Sequence, residues 1–257
     1  MNTLSVIVIT YNEEAKIGRC LESVKSIADE IVVVDSESTD STETICRQHG
    51  VRFYSQPWLG YAEQKNFADH LAQCDYILSI DADEALSDKL IRSIHALKTE
   101  PHGNDEVFSM NRLNNYCGRW MRRCGLYPDT KVRIWRKDFA RWEGLVHERL
   151  EYQSPPTVTK LSGDLLHYSF DTPQGFEKQM FHFAELGGKS YFEKKKKTDL
   201  IHWILSPSFD FFRNYIIKGG CLEGRTGWYI CRTLAKATRH KYNVLRTLIK
   251  ETQAQKD

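Results

Sequence analysis

Short β-branched runs recur along the first half of this chain, and each is separated from the next by a stretch with helical periodicity. Residues 4–10 (LSVIVIT) form the first run, the kind expected of a strand covered on both faces of a parallel sheet. Ile17, Leu21, Val24 and Ile27 follow at spacings of four, three and three, which places them on one stripe of a helix. A second β-branched run at 31–34 completes a β-α-β unit. The rhythm continues with a helix expected near 40–49, a strand at 51–54, a helix over about 61–72, a strand at 76–80 and a helix around 87–98. Strands alternating with helices specify an α/β class with a mostly parallel, doubly wound sheet. Beyond residue 100 the rhythm loosens: 106–110 and 131–135 read as strands, separated by a polar stretch rich in Arg and aromatics. That half reads as mixed sheet plus substrate loops.

A length of 257 residues fits one large domain or one and a half, and 41% hydrophobic with 12% aromatic residues excludes disorder for most of it. Collagen-like, coiled-coil and low-complexity classes fall with it. The first apolar run meets Tyr11-Asn12-Glu13-Glu14 at once and has no basic leader, so a cytoplasmic location is expected. Seven Cys with no C-x-x-C pair argue against a disulfide framework and a zinc finger.

The net charge of +2 hides an asymmetry. Residues 184–257 carry 15 Lys+Arg against 7 Asp+Glu, which leaves 21 against 27 for residues 1–183. The pattern is helical from about 174, and the stretch 200–217 (LIHWILSPSFDFFRNYII) is strongly apolar but interrupted by Pro207, Asp210 and Arg213. It is too broken for a transmembrane helix. Two readings stay open: a helix on an anionic membrane surface with Trp203, Phe209, Phe211, Phe212 and Tyr215 facing lipid, or ordinary packing on the catalytic body.

Ligands of open parallel sheets sit beyond the carboxyl ends of the strands, and three strands here end in polar side chains. The first runs into Thr10-Tyr11-Asn12-Glu13, the second into Asp35-Ser36-Glu37-Ser38, and the fourth into Asp81-Ala82-Asp83-Glu84. The two carboxylates of Asp81-Ala82-Asp83 repel unless a cation lies between them, and a hard divalent ion bridging to phosphate supplies one. The alternative is a solvated turn. No Gly-rich phosphate loop is present, so metal and basic side chains must neutralise any nucleotide, with Lys65 and Asn66 as candidates. In Trp142-Glu143-Gly144-Leu145-Val146-His147-Glu148, adjacent His and Glu offer a metal ligand and a general base, or else a strand-edge ion pair. An H-E-x-x-H protease site is excluded, because position 151 is Glu151.

Taken in order, SVIVITYNEE, IVVVDSESTDST, QKNFA and DAD resemble the inverting glycosyltransferases of family 2, over roughly residues 3–150. YPDTKVRIWRKD and WEGLVHE, followed by the aromatic basic tail, look closest to the bacterial lipopolysaccharide core-biosynthesis β-glucosyltransferase subgroup. The resemblance implies a GT-A nucleotide-sugar fold over 1–173, with a donor half to about 100 and an acceptor half over 101–173, and a helical basic extension over 174–257. It implies Thr10 and Tyr11 bracketing the nucleobase, Asp35 bonding uracil, Asp81 beside ribose or metal, and Asp83 as a direct Mg²⁺ or Mn²⁺ ligand. Lys65 and Asn66 would touch ribose or diphosphate, and His147 metal or diphosphate. Glu148 is the candidate base with Glu143 its rival, since the Glu-Asp pair many members use is missing. The implied reaction moves a sugar, glucose by the subgroup, from a UDP-sugar to a lipid-linked or phosphorylated saccharide, with inversion. Arg112, Arg119, Arg122, Arg123 and Arg133, interleaved with Trp120 and Tyr127, suit such an acceptor.

Two rivals are weaker. A haloacid-dehalogenase-like phosphohydrolase wants D-x-D-x-[TV], but position 85 is Ala85. A nucleic-acid-binding protein using the basic tail lacks a recognition motif, and its acidic body would repel a polyanion.

Overall fold

The computed structural model describes residues 3–144, 148–195 and 200–254. The chain runs β1 (Leu4–Thr10), α1 (Ile17–Val24), β2 (Glu30–Asp35), α2 (Thr42–Gln48), β3 (Arg52–Ser55), α3 (Tyr61–Leu71), β4 (Tyr76–Asp81), β5 (Glu84–Leu86) and α4 (Asp88–Thr99). It continues through β6 (Glu106–Tyr116), β7 (Arg119–Trp120), β8 (Asp129–Arg136), β9 (Ala140–Glu143), β10 (Arg149–Tyr152) and β11 (Thr157–Phe170). Three helices close it: α5 (Pro173–Glu193), α6 (Leu200–Phe212), followed by a π turn over Arg213–Ile217, and α7 (Gly224–Ala254). The residues group into two compact units, one of 1–113 with 129–168 and the other of 114–128 with 169–257.

The first unit is built on a sheet ordered β3-β2-β1-β4-β8-β6-β11-β5. The first four strands pair in parallel, as their unbroken apolar runs require. From β4 outward β8 lies antiparallel on β4, β6 on β8, and β5 on β11, and this is where the helical rhythm loosens in the sequence. Alternation along β1 sends Val6 and Val8 to one face, against Ile17, Leu21, Val24 and Ile27 of the first helical segment. Ile7 goes to the other, against Val32, Ile77, Ala68 and Trp135. Each of those fully buried aliphatics stabilises the fold by roughly 1.5–3 kcal/mol relative to exposure.

Beside α4 the packing is tight enough to dictate a glycine. Gly163 of β11 sits at φ +105, and a Cβ there would lie 2.3 Å from the Leu90 nitrogen. Next to it, Ser87 caps α4 by accepting from Leu90 N at 3.4 Å and also accepts from Asp164 N at 3.0 Å, so strand and helix start are held together.

The second unit has its own core of Tyr116, Met121, Cys124, Phe170, Phe176, Ile230 and Cys231. Both α5 and α6 pack along α7. The five aromatics expected to face lipid divide by side. Phe209 and Phe212 are exposed, but Phe211 and Tyr215 stack on each other at 5.1 Å and meet Trp228 edge-on. Trp203 turns onto α7, donating to Asn243 at 2.6 Å beneath the guanidinia of Arg239 and Arg246. The helix therefore packs with one face and exposes another. All seven cysteines are free thiols.

Candidate functional site

Parallel register decides which residues meet. Thr10 lies opposite Asp35 across β1 and β2, and Ile9 lies opposite Asp81 across β1 and β4. The three polar strand ends therefore share one edge of the sheet, in the first unit. There Asp35 is 2% exposed and accepts from Ser38 N at 2.7 Å and from the Ser38 hydroxyl. Ser38 Oγ in turn accepts from Asn12 N at 2.7 Å, and Asn12 Oδ1 accepts from Thr39 N at 2.8 Å, lacing the first two loops together. Asn12 takes φ +51, a left-handed conformation that Asn tolerates. Thr10 is buried, and its hydroxyl has no protein partner. Tyr11 beside it is 57% exposed.

At the end of β4 the charges form a network. Lys65, 3% exposed, places its ammonium 3.3 Å from Asp81 Oδ1 and 3.3 Å from Glu148 Oε1, over the Trp142 ring at 4.6 Å. Arg133 Nη2 donates to Asp81 Oδ2 at 3.0 Å and to both oxygens of buried Glu84, at 2.8 and 3.0 Å. Burial alone would raise the Asp81 pKa, but the Lys65 ammonium and Arg133 guanidinium outweigh it and hold the carboxyl well below the usual carboxylate range. Burial likewise opposes the charge of Arg133, and Glu84 and Asp81 reverse the effect and raise its pKa. Repulsion within Asp81-Ala82-Asp83 is thus relieved on the Asp81 side by cations of the chain itself.

Asp83 points elsewhere. Its Oδ2 lies 3.2 Å from His167 Nε2, and its carbonyl accepts from Tyr168 N at 2.9 Å. The β5–β11 pairing brings this about by setting His167 opposite Glu84. No group of three or more His, Cys, Asp or Glu is arranged to hold a metal among the described residues. A carboxylate and an imidazole at this separation suit a divalent ion whose remaining coordination comes from ligand oxygens. Tyr61, half exposed at the start of α3, has its phenol pKa raised by burial and by the field of Glu148, Asp81 and Asp83. It pairs edge-on with exposed Trp58 at 4.8 Å.

The model of the family described as Glycosyl transferase family 2 matches residues 5–141, which includes all three strand ends. The chain belongs to glycosyltransferase family 2. A glycosyltransferase of Rickettsia bellii is 53% identical over 242 residues, 84% of this chain and 78% of that one. The lipopolysaccharide core biosynthesis glycosyltransferase LpsC of Rhizobium meliloti is 31% identical over 245 residues, 87% of each. Among solved structures, glucosyl-3-phosphoglycerate synthase of Mycobacterium tuberculosis with Mn²⁺, UDP and its product is 25% identical, with 44% of each chain covered and a TM-score of 0.37. Membership in glycosyltransferase family 2 accords with the mixed α/β sheet flanked by helices described above and displaces the phosphohydrolase and nucleic-acid readings.

As a family 2 glycosyltransferase, the chain brings Thr10, Tyr11, Asp35 and Asp81 to one edge and sets Lys65 between Asp81 and Glu148. Glu143, the rival base, is exposed on β9 opposite Arg149. His147 lies outside the described residues. Asn66, the other candidate for ribose or diphosphate, donates from its amide to Trp142 O and accepts from Trp142 N, both at 2.9 Å, tying α3 to β9. Arg133 belongs to the buried network and not to an acceptor surface, because its guanidinium serves Asp81 and Glu84. Arg112 is paired with Asp129 at 2.8 Å, and Arg119 and Arg123 both reach Glu223. Sequence reasoning missed His167 and Tyr61 as members of the site and read Arg133 as an acceptor residue. The pairing that delivers His167 joins strands about 80 residues apart, and no local pattern announces it.

Proposed function

We propose that this family 2 enzyme is an inverting, metal-dependent hexosyltransferase that moves a sugar, glucose, from a UDP-sugar to a saccharide acceptor of lipopolysaccharide core or a related envelope glycan. The observation that carries it is Lys65, a buried cation joining a donor-side carboxylate, Asp81, to the candidate base, Glu148. Orphaned Thr10 Oγ1 and exposed Tyr11, beside Asp35, offer a hydrogen bond and a ring face to a nucleobase. The likeness to LpsC supports the envelope acceptor.

In this reading Glu148 Oε accepts the proton of the acceptor hydroxyl as that oxygen bonds the anomeric carbon, and the bond from that carbon to the diphosphate oxygen breaks on the opposite face. Asp83 and His167 would hold a divalent cation that stabilises charge on the departing diphosphate. Lys65 keeps Glu148 ion-paired and in place. Trp58 and Tyr61 present ring faces of the kind that stack on sugars.

Calorimetric titration with UDP, with and without Mn²⁺, tests the donor site. Mn²⁺-dependent binding that disappears in Asp83→Ala supports it, and absence of UDP binding in both conditions defeats it. Glu148→Gln should leave UDP affinity intact and lower turnover by about 10²–10⁴-fold. Full turnover in that variant would move the base elsewhere.

A further inference from the structure

We propose that the outward face of α6 and its π turn, together with the basic side of α7, is a docking surface for an acidic phospholipid bilayer. Ile204, Leu205, Phe209, Phe212, Ile216 and Ile217 are 42–63% exposed. Leu205, Phe209, Phe212 and Ile216 recur at helical spacings of four, three and four and so form a stripe, with Ile204 and Ile217 at its two ends. A contiguous apolar stripe of this kind on the outside of a folded protein marks an interaction site, whereas single exposed residues need no explanation.

The surroundings select the occupant. A cavity of about 360 Å³ lies between α6 and α7, with Pro207 and Phe211 on one wall and Arg232, Lys236 and Arg239 on the other. The three bases sit at i, i+4 and i+7 of α7, all exposed, and Arg232 has no ion-pair partner among the described residues. Along its whole length α7 carries seven Lys+Arg against a single acid, Glu251. An apolar helical stripe beside a row of bases matches a surface whose interior is hydrocarbon and whose headgroups are anionic. The volume admits a phosphate headgroup. Spanning is excluded for α6 by length, since 13 residues reach about 20 Å against a hydrocarbon core of about 30 Å. No helix among the described residues is long and apolar enough to cross a membrane.

The test is co-sedimentation of the full chain with phosphatidylcholine vesicles, with and without phosphatidylglycerol, at low ionic strength. Binding is expected to the phosphatidylglycerol vesicles and to weaken with salt. Phe209→Asp with Phe212→Asp, and separately Arg232→Glu with Arg239→Glu, should each lower it by about tenfold or more. Thermal melts accompany the variants, and Phe209→Ser with Phe212→Ser replaces the aspartates if they lower the melting temperature. Wild-type protein that stays in the supernatant, or either pair of variants binding as wild type does, would overturn the proposal. So would a dimer in sedimentation equilibrium that Phe212→Asp separates while lipid binding is absent, because the stripe would then be covered by a second copy.

Discussion

Arg133 shows how much one buried cation holds together. It is 4% exposed and faces two carboxylates, so Arg133→Met leaves Asp81 and Glu84 without their shared partner and should cost about 3–5 kcal/mol in urea unfolding. Glu30 makes the complementary case. It accepts from Ser5 Oγ, from Arg52 and from Gln73 N at 2.8 Å. Burial alone would raise its pKa, but those donors outweigh it and set the carboxyl below the usual range. Its contribution is therefore complete above the ordinary Glu value and is lost as pH falls through the lowered one. Glu30→Gln should cost about 2 kcal/mol near neutral pH, a deficit that shrinks below about pH 4 in a series of urea melts. Thiols divide by exposure: Cys221 should be the first to react with iodoacetamide, followed by mass spectrometry. Cys20 and Cys46 should resist, since burial pushes both pKa values up, Cys46 to about 12. At this scale Asp35, Asp81 and Asp83 were legible because polar residues ending apolar strands stand out locally. His167 was not, and Arg133 was read only as an acceptor residue, because what gives each its place is a strand partner far away in the chain.

Helices and parallel strands of the first hundred residues were legible for a different reason. Their periodicity records burial, and α1 shows it plainly, with its apolar stripe fully buried. The short strands β5, β9 and β10 have no such record. A three-residue strand carries too few positions for a period to show, and β5 gains its identity from pairing with β11. That pairing is fragile at one point. Gly163→Ala should lower stability sharply, both through its positive φ and through collision with the α4 backbone, and the melting temperature is the readout. Ser87→Ala removes the acceptor for Leu90 N and Asp164 N together and should cost about 1–2 kcal/mol.

For the whole molecule, the grouping of residues 114–128 with 169–257 escapes any reading along the chain. Met121 and Cys124 reach their core partners Ile230 and Cys231 only through folding, more than a hundred positions away. The charge asymmetry was legible, since composition alone shows it, but the side of α6 that packs was not. The stripe at 200–217 is apolar nearly all round, so its pattern could not separate Phe211 from Phe212. If the donor reading holds, UDP with Mn²⁺ at a hundredfold excess over its dissociation constant should add about 2.7 kcal/mol to the unfolding free energy, and Asp83→Ala should erase that gain.

Parallel register also makes the two ends of the sheet unequal in what they tolerate. Deleting Val6 from β1 would move Ile7 and Val8 each onto the face the other now occupies and pull Thr10 out of line with Asp35. The opposite end, where β1, β2 and β4 begin, carries none of the candidate chemistry, and the exposed turn at 103–105 ahead of β6 lies at that end. A fluorescent-protein fusion or affinity handle spliced between Gly103 and Asn104 should therefore leave ligand binding untouched. The same handle between Glu37 and Ser38 should abolish it, by cutting the lacing of the first two loops.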